Sequence, residues 1–296
     1  MNTTPIVIVS NKAGRLGNRL FQSAHFMGNA LSHGYRLLNP SFDEYAGFFE
    51  GSASDPLCAT PCVTEIQDHE LASQLRAVFF FMAGAFSMPC SKIFSKRMSL
   101  FDIRDLDETD DPCMDLNTEG FQKLLRPGSV TFVKGWRFTD HLNLVRFRDQ
   151  IVRYHTPVQS IIHEAENVVA HARDAGKSVI GVHVRQEDYR FWKGGVHFYE
   201  TELYAQWMRK CAEIYEDVVF LVCASNKLDF DGFRGLNVVY GPGFPVGDLH
   251  ALSLCDRIMG PPSTFSMWAS YFGNTPLCIL QRREQIVIRE NFTLHH

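Results

Sequence analysis

The sequence predicts an α/β protein in which two halves each carry a parallel, doubly wound sheet. Short apolar runs recur along the chain and alternate with segments of helical periodicity, which is the pattern of such sheets. The composition agrees, because 45% hydrophobic and 21% charged residues are typical of a soluble globular protein. With 296 residues the chain has enough length for two domains. We expect the two halves to face a cleft that binds the ligand.

The N-terminal half begins with a strand over residues 6–10, a glycine-containing loop and a helix that starts at Asn18. This helix has one apolar face, formed at helical spacing by Leu20, Ala24, Met27 and Leu31. The order strand, loop, helix is typical of nucleotide-binding α/β folds. We therefore expect ligand contacts in the loop.

The middle of the chain predicts a strand over residues 129–136, one basic amphipathic helix over 141–155 and a helix over 160–178. Its most apolar window, residues 77–88, has 12 residues, whereas a bilayer span needs about 20. We expect a buried core helix there, with contact to a lipid-linked substrate as the alternative.

The C-terminal half is more regular. Its predicted strands cover residues 179–184, 218–224, 237–240, 257–260 and 276–281, and its predicted helices cover 199–215, 246–255 and 263–273. The boundary between the domains is expected near Gly176, which gives an N-terminal domain of residues 1–175 and a C-terminal domain of residues 176–296.

Charge and cysteine usage limit the function classes. A formal charge of −4 and a pI near 6.3 disfavour a nucleic-acid-binding surface. The eight cysteines are scattered, which favours a reducing compartment. No basic leader is visible before the first strand, so we expect a cytoplasmic protein. At most, its basic helix contacts the inner membrane face peripherally.

Two polar side chains stand at the end of an apolar strand. His183 and Arg185 lie on one face of the strand over residues 179–184. A buried arginine requires an anionic partner. That partner is either an acid of the next turn, Asp188 or Glu187, or a ligand phosphate at the carboxyl end of the strand. Both interpretations remain open from these residues.

Two further segments are candidates for anion binding. Ser263 and Thr264 precede a helix, so they either cap it or help its N-terminus bind an anion. In the N-terminal loop, Gly14 and Gly17 permit close approach of a ligand before Asn18. That loop matches neither the dinucleotide fingerprint nor the P-loop.

Three ordered segments carry a family resemblance. They are GRLGNRLFQSAHFMGNAL (14–31), GVHVRQEDY (181–189) and DLHALSLCDRIMGPPSTFSMWASYFG (248–273). Together they resemble the signature regions of the inverting fucosyltransferase superfamily. The best match is to the α1,2-fucosyltransferase-like glycosyltransferase family 11, with kinship to α1,6- and protein O-fucosyltransferases.

The resemblance implies a GT-B-like fold with two Rossmann-like domains, the N-terminal one on the acceptor side and the C-terminal one binding the nucleotide sugar. It implies an inverting, metal-independent glycosyltransferase of polysaccharide biosynthesis. The donor would be GDP-fucose, a co-substrate, so no cofactor is expected. The acceptor would be the hydroxyl of a glycan or of a lipid-linked oligosaccharide.

The resemblance also assigns roles. His183 would lie near the guanine or ribose, Arg185 would bind the β-phosphate, and the diphosphate loop would contain Ser263, Thr264 and Phe265. Gly17 and Asn18 would belong to the loop that closes over the reacting centre, and Arg185 and Asn18 are the residues expected to be catalytic.

The sequence departs from the family pattern at two places. Gln186 replaces a second arginine, for which Arg15, Arg19 or Arg190 could substitute. A Ser-Asp-Asp stretch that helps to hold guanine is here Ser225, Asn226 and Lys227, so the usual carboxylate is missing, although Ser225 and Asn226 remain donor-binding candidates.

The general base is not identified by any motif. The candidates by residue type are Asp188, His197 and Asp43.

Two alternatives remain. Asp229 with Asp231, and Asp105 with Asp107, have the DxD form that holds a divalent metal in other glycosyltransferases, which would fit a different nucleotide sugar. Gln186 and Lys227 would also fit a catalytically silent sugar- or nucleotide-binding protein.

Overall fold

The computed structural model describes residues 3–62, 64–86, 98–102, 113–224 and 230–294, with the backbone alone at 230 and 231. These residues form two compact units, Met1–Val158 and Gln159–His296. The division therefore falls before the helix Gln159–Ala175, whereas the expected boundary followed it. The reason is packing, because the buried side chains of this helix, such as Ala165 and Val169, face the second unit's elements.

The strands of the first unit are β1 Ile6–Val9, β2 Arg36–Leu38, β3 Ala59–Thr60, β4 Met98–Asp102, β5 Cys113–Asp115, β6 Val130–Lys134 and β7 Arg137–Thr139. Within the described residues the main sheet has the order β3-β2-β1-β6-β4, and β5 pairs separately with β7. β1 is central and runs parallel to β2 and β6, while the short β3 is antiparallel. The predicted strand after the N-terminus thus forms the middle of this sheet.

The helices of the first unit are α1 Leu16–His33, α2 Asp43–Ala46, α3 Glu50–Ala53, α4 His69–Phe86, α5 Glu119–Gln122, α6 His141–Arg146 and α7 Arg148–Tyr154. α1 begins two residues before Asn18, and it ends at Gly34, whose φ of 71° is left-handed. The single helix expected over 141–155 is two helices. They are separated by Phe147, and Asp140 caps the first by accepting from the Asn143 amide.

The apolar window of residues 77–88 forms most of the second half of α4, but it is not a buried core helix. Val78 is 52% exposed and Phe81 is 77% exposed, while Ala83 on the opposite face is buried. The expectation of a buried helix was wrong because hydrophobicity alone does not determine which face of a helix finds a partner. Residues 87 and 88 lie outside the described residues.

The second unit contains the strands β8 Ser178–Val184, β9 Val218–Ala224, β10 Val238–Tyr240, β11 Arg257–Gly260 and β12 Leu277–Ile279, and the helices α8 Gln159–Ala175, α9 Thr201–Ile214, α10 Pro245–Ser253 and α11 Thr264–Gly273. Within the described residues the sheet order is β10-β9-β8-β11-β12, and every pair is parallel. All five carboxyl ends therefore lie at one edge of the sheet.

The strand register places particular residues at this edge. His183 of β8 is opposite Cys223 of β9, and Met259 of β11 is opposite Val182 of β8. The loops that follow β8 and β11 therefore leave the sheet side by side, as expected for a ligand site at the carboxyl ends of parallel strands.

Candidate active site

His183 is a buried histidine whose ring carries no charge near neutral pH. It is 3% exposed, and its ring centroid lies 4.8 Å from that of Phe265. Burial and the nearby Arg185 lower its pKa to about 3. Among the described residues, Nδ1 has no hydrogen-bond partner. A neutral imidazole with an unused nitrogen at the edge of the sheet can donate to or accept from a ligand.

Arg185 leaves the sheet just after β8 and is held by Asp188. Its Nε and Nη2 donate to the two carboxylate oxygens of Asp188 at 2.9 and 2.8 Å. Of the two partners that the sequence left open, the acid of the next turn is therefore in place. These two bonds use two of the five N–H groups of the Arg185 guanidinium. The remaining donors can bind a phosphate.

Asp188 was a candidate for the general base, and its contacts favour a different task. It orients the Arg185 fork from the same loop, and its side chain is 41% exposed against 14% for that of Arg185. Both of its carboxylate oxygens accept hydrogen bonds from the Arg185 guanidinium, which is the contact of an orienting residue. Its role as a base stays a prediction.

Ser263 caps α11, and the loop before it is tied to the loop after β8. The Ser263 hydroxyl oxygen accepts from the Phe265 amide at 3.3 Å. The Tyr189 hydroxyl donates to the Pro262 carbonyl. Ser263 thus caps the helix, as one of the two interpretations predicted. The N-terminus of α11 lies at the same edge of the sheet as His183 and Arg185. This N-terminus offers a positive dipole end to an anion.

Gln186 stands where the resembled family has a second arginine, and it has a structural contact. Its Nε2 donates to the Tyr199 carbonyl oxygen at 3.1 Å, which ties the loop after β8 to the segment before α9. Arg190, one of the possible substitutes for that arginine, lies with its guanidinium 4.8 Å from the ring of Phe198.

The N-terminal loop belongs to the first unit, and its contacts are given within that unit. Gly14 has a φ of +61°, and a Cβ there would lie 2.1 Å from Asn18 Nδ2, so glycine is required. Arg15 is exposed at the N-cap of α1, and Gly17 is buried in its first turn.

Two further predicted residues are engaged inside the first unit. Arg19 is 6% exposed and donates to the Ser41 carbonyl at 2.8 Å and to Glu44 at 3.1 Å, so it does not fit the role of a substitute for the missing arginine. Asp43, a candidate base, pairs with Lys12 at 2.9 Å.

His197 is a half-buried histidine of the loop that precedes α9. Burial and the charge of Lys193 lower its pKa. Its ring centroid lies 5.6 Å from that of Trp192. Its role as the base also stays a prediction.

Asp248 is a buried carboxylate near His183 that the sequence analysis did not single out. It is 6% exposed in the first turn of α10, where its Oδ1 accepts from the Gly243 amide at 2.8 Å. Burial raises its pKa to about 6. It contacts Cys223, the residue opposite His183. The available signal was a single carboxylate inside the apolar run VGDLHAL, at the start of the third matched segment.

Some predicted residues cannot be placed. Ser225, Asn226, Lys227 and Asp229 lie outside the described residues, as do Asp105 and Asp107, and so does the side chain of Asp231. In the described part of the chain no three acidic, histidine or cysteine side chains are grouped as a metal site. A helix long and apolar enough to cross a membrane is likewise not found in that part.

The fold defines a class of protein. The α/β architecture of the chain is that of solved GT-B fucosyltransferases, and the predicted fold class is confirmed. No family model matches the chain.

The chain is similar to particular fucosyltransferases. It is 29% identical to human galactoside alpha-(1,2)-fucosyltransferase 1 over 157 residues. The match covers 47% of this chain and 41% of the human protein. The chain thus matches about two fifths of the length of this relative. Its fold matches that of a variant of Arabidopsis thaliana FUT1 in complex with GDP, with a TM-score of 0.56 at 14% identity over 95% of this chain and 71% of the other. The structure of NodZ alpha-1,6-fucosyltransferase soaked with GDP-fucose gives a TM-score of 0.55 at 19% identity. This match covers 94% of this chain and 95% of the NodZ chain.

Proposed function

We propose that this chain transfers fucose from GDP-fucose to a glycan hydroxyl, with inversion and without a metal ion. The second unit would bind the donor and the first unit would bind the acceptor. The observation that carries the proposal is the meeting of His183, Arg185 and the Ser263 cap at the adjacent carboxyl ends of β8 and β11. The similarity to proteins named as fucosyltransferases supports the choice of sugar.

The chemistry would be a single displacement. The acceptor hydroxyl gives its proton to a general base, for which Asp188, His197 and Asp43 are the candidates, and its oxygen attacks the anomeric carbon while the bond from that carbon to the β-phosphate oxygen breaks. Negative charge then grows on the leaving GDP. Arg185, already oriented by Asp188, and the N-terminus of α11 would stabilise this charge in place of a metal. Attack from the face opposite the leaving group inverts the anomeric configuration.

The base end of the donor would lie on the Asp248 side of His183. Guanine presents N–H donors on one edge, and a buried carboxylate can accept from them. Asp248 is such a carboxylate, and through Cys223 it is next to His183 in the sheet. It would replace the acid that the sequence lacks at residues 225–227. Uracil and adenine have fewer donors on the corresponding edge, so this contact would select guanine.

The acceptor class follows from the named relative. The human relative is called a galactoside fucosyltransferase, so a β-galactoside is the first acceptor to test. A lipid-linked oligosaccharide remains a second acceptor of the same chemistry. The expected cytoplasmic location and peripheral membrane contact stay predictions.

A thermal-shift panel tests the donor assignment. GDP and GDP-fucose should raise the melting temperature, whereas equal concentrations of UDP, ADP and their sugars should not, because stabilisation grows as the logarithm of one plus the ratio of ligand concentration to Kd. A selective shift with UDP instead would overturn the donor assignment. Transfer to lactose, followed by NMR, should give an α-linked product from the β-linked donor, and EDTA should leave the rate unchanged. A β-linked product or an EDTA-sensitive rate would contradict inversion or metal independence.

A further inference from the structure

The loop after Arg185 carries an aromatic cluster that the donor site does not use. The rings of Tyr189 and Trp192 stack with centroids 4.9 Å apart and planes at 29°, and His197 lies beyond Trp192. Trp192 is 37% exposed and Phe191 is 80% exposed. Large aromatic side chains left partly open to solvent mark binding surfaces.

A pocket of about 620 Å³ follows β12. Its lining combines the aliphatic Ile279 and Ile286 with a cation, Arg282, and an anion, Glu284. Such a lining offers both donors and acceptors of hydrogen bonds without a net charge. A volume of this size holds a small organic ligand, and the pocket is too polar to suit an apolar one.

The cluster and the pocket are neighbours. The backbone of Gln281, which lines the pocket, interacts with the His197 ring. Arg283 donates to the Phe198 carbonyl at 3.2 Å and pairs with Glu200, so the loop after β12 is fixed against the segment that follows Trp192.

Both features also adjoin the donor site. The Arg185 guanidinium lies 5.4 Å from the ring of Tyr189, which in turn stacks on Trp192. β12 is next to β11 in the sheet, and the end of β11 leads to Ser263. A ligand held by Trp192 and the pocket would therefore lie beside the diphosphate position.

We propose that Trp192 and the pocket around Arg282 and Glu284, all in the second unit, form a saccharide subsite for the acceptor glycan, in addition to the acceptor contacts proposed for the first unit. This rests on the proposed function. A pyranose has an apolar C–H face and a rim of hydroxyls, so it fits an aromatic ring next to mixed donors and acceptors. Lys193 lies 5.0 Å from the centroid of the Trp192 ring, and this cation–π contact is exposed and therefore easily exchanged for a sugar.

Saturation-transfer NMR with lactose tests the subsite without requiring catalysis. The wild-type protein should transfer saturation to the C–H face of the galactose ring, with and without GDP. Trp192→Ala should weaken lactose binding about tenfold, as expected for the loss of an aromatic contact, and Trp192→Phe should restore most of it. Arg282→Ala should weaken it about threefold or more.

Two controls separate this effect from general damage. Phe48→Ala removes an aromatic side chain of similar exposure, 42%, from the first unit, and Arg209→Ala removes an exposed arginine of α9. Neither should change lactose binding. In transfer assays Trp192→Ala should raise the KM for lactose while the KM for GDP-fucose stays within about twofold.

The outcomes distinguish the two proposals. If lactose, methyl β-galactoside, N-acetyllactosamine and maltose all fail to bind the wild-type protein, or bind Trp192→Ala and Arg282→Ala equally well, the subsite is overturned. If GDP and GDP-fucose fail to bind while the saccharide effects hold, the proposed transferase function is overturned and the subsite stands.

Discussion

At the scale of single residues, His183 near the end of β8 and Arg185 just after it differ in charge. His183 is neutral because burial and the neighbouring guanidinium both oppose a second positive charge. The Arg185 guanidinium is held by the two carboxylate oxygens of Asp188 from the same loop. The site therefore holds one guanidinium in a fixed orientation and one neutral hydrogen-bonding ring, which is a suitable arrangement for a nucleoside diphosphate.

Arg185→Ala should lower kcat/KM for transfer about 100-fold or more, because one donor to developing negative charge contributes roughly 3–4 kcal/mol to the barrier. Arg185→Lys should recover only part of the loss, since an ammonium group does not reproduce the two-pronged contact. Steady-state kinetics with GDP-fucose and lactose measures both.

The matched control is Arg209→Ala, which removes an exposed arginine of α9 and should leave kcat/KM unchanged. Arg185→Ala with turnover close to that of the wild-type protein would contradict the role given to Arg185. Circular dichroism of each variant separates loss of catalysis from loss of fold.

Asp248→Asn should have two opposite effects. The folded-state pKa of about 6 is above the ordinary 3.8, so the unfolded chain loses its proton first and stability falls as the pH rises from about 3.8 to about 6. Removing this cost should stabilise the protein at pH 7.5 by up to about 3 kcal/mol, and at pH 4.5 by only about 1 kcal/mol. Losing the carboxylate should weaken GDP binding about tenfold.

Urea unfolding at both pH values and GDP titration by calorimetry measure the two effects of Asp248→Asn. Weaker GDP binding without a gain in stability at pH 7.5 would show that the carboxylate is not buried in the free protein. A gain in stability with unchanged GDP affinity would remove Asp248 from the donor site.

The sequence could predict His183 and Arg185 because polar residues in an apolar strand are conspicuous. It could not predict Asp248, since an acid in the first turn of a helix also has an ordinary capping explanation. Arg19 was a reasonable phosphate ligand by sequence, but only the folded chain reveals that Ser41 and Glu44 already occupy its donors.

At the scale of elements, the site depends on the close contact of β8 and β11. A Cβ at Gly260 would lie 3.0 Å from both the Cβ and the carbonyl oxygen of His183. Gly260→Ala should push the end of β11 away from His183. The expected results are a loss of about 1–3 kcal/mol in unfolding free energy and a several-fold loss of GDP affinity.

Gly120→Ala is the matched control, because a Cβ there meets nothing within 4 Å and the residue lies in the helix α5. It should stabilise the protein slightly or leave it unchanged. Urea unfolding and GDP titration of both variants provide the comparison. Equal behaviour of the two variants would mean that β11 can move away from His183 without consequence.

Helices and strands could be predicted where a short stretch of sequence is enough to determine its own secondary structure. The five strands of the second unit follow from apolar runs between helical segments, and each is found near its expected position. The break at Phe147 and the exposed face of α4 were not predictable. Residues 141–155 contain no glycine or proline that would signal a break, and no local signal tells which side of α4 is covered.

At the scale of the whole molecule, each of the two units buries histidines whose pKa values are lowered. His25 and His155 lie in the first unit, and burial lowers the pKa of each to about 4. The Asp140 amide donates to His25 Nδ1 at 3.0 Å, so a proton on that nitrogen would face another donor. In the second unit His183 has a pKa of about 3, and burial also lowers the pKa of His250.

Lowering the pH should therefore unfold the first unit before the second. A folded pKa below the unfolded 6.5 means that the unfolded chain binds more protons, so stability falls as pH drops below about 6.5. Between pH 7 and pH 5 each of His25 and His155 costs about 2 kcal/mol, or about 4 kcal/mol for the first unit. In the second unit the similar cost of His183, to which His250 adds, is offset by about 1 kcal/mol from Asp248, which gains its proton below pH 6.

Hydrogen exchange read by mass spectrometry at pH 7 and pH 5, corrected for the intrinsic rate, should show protection lost first in peptides of α1 and α7 and later in peptides of β8 and β9. His25→Gln, which keeps an acceptor near the Asp140 amide and cannot titrate, should reduce the acid sensitivity of the first unit by about half. The reverse order of opening, or an unchanged profile in His25→Gln, would mean that the buried imidazoles do not control the acid stability of this protein.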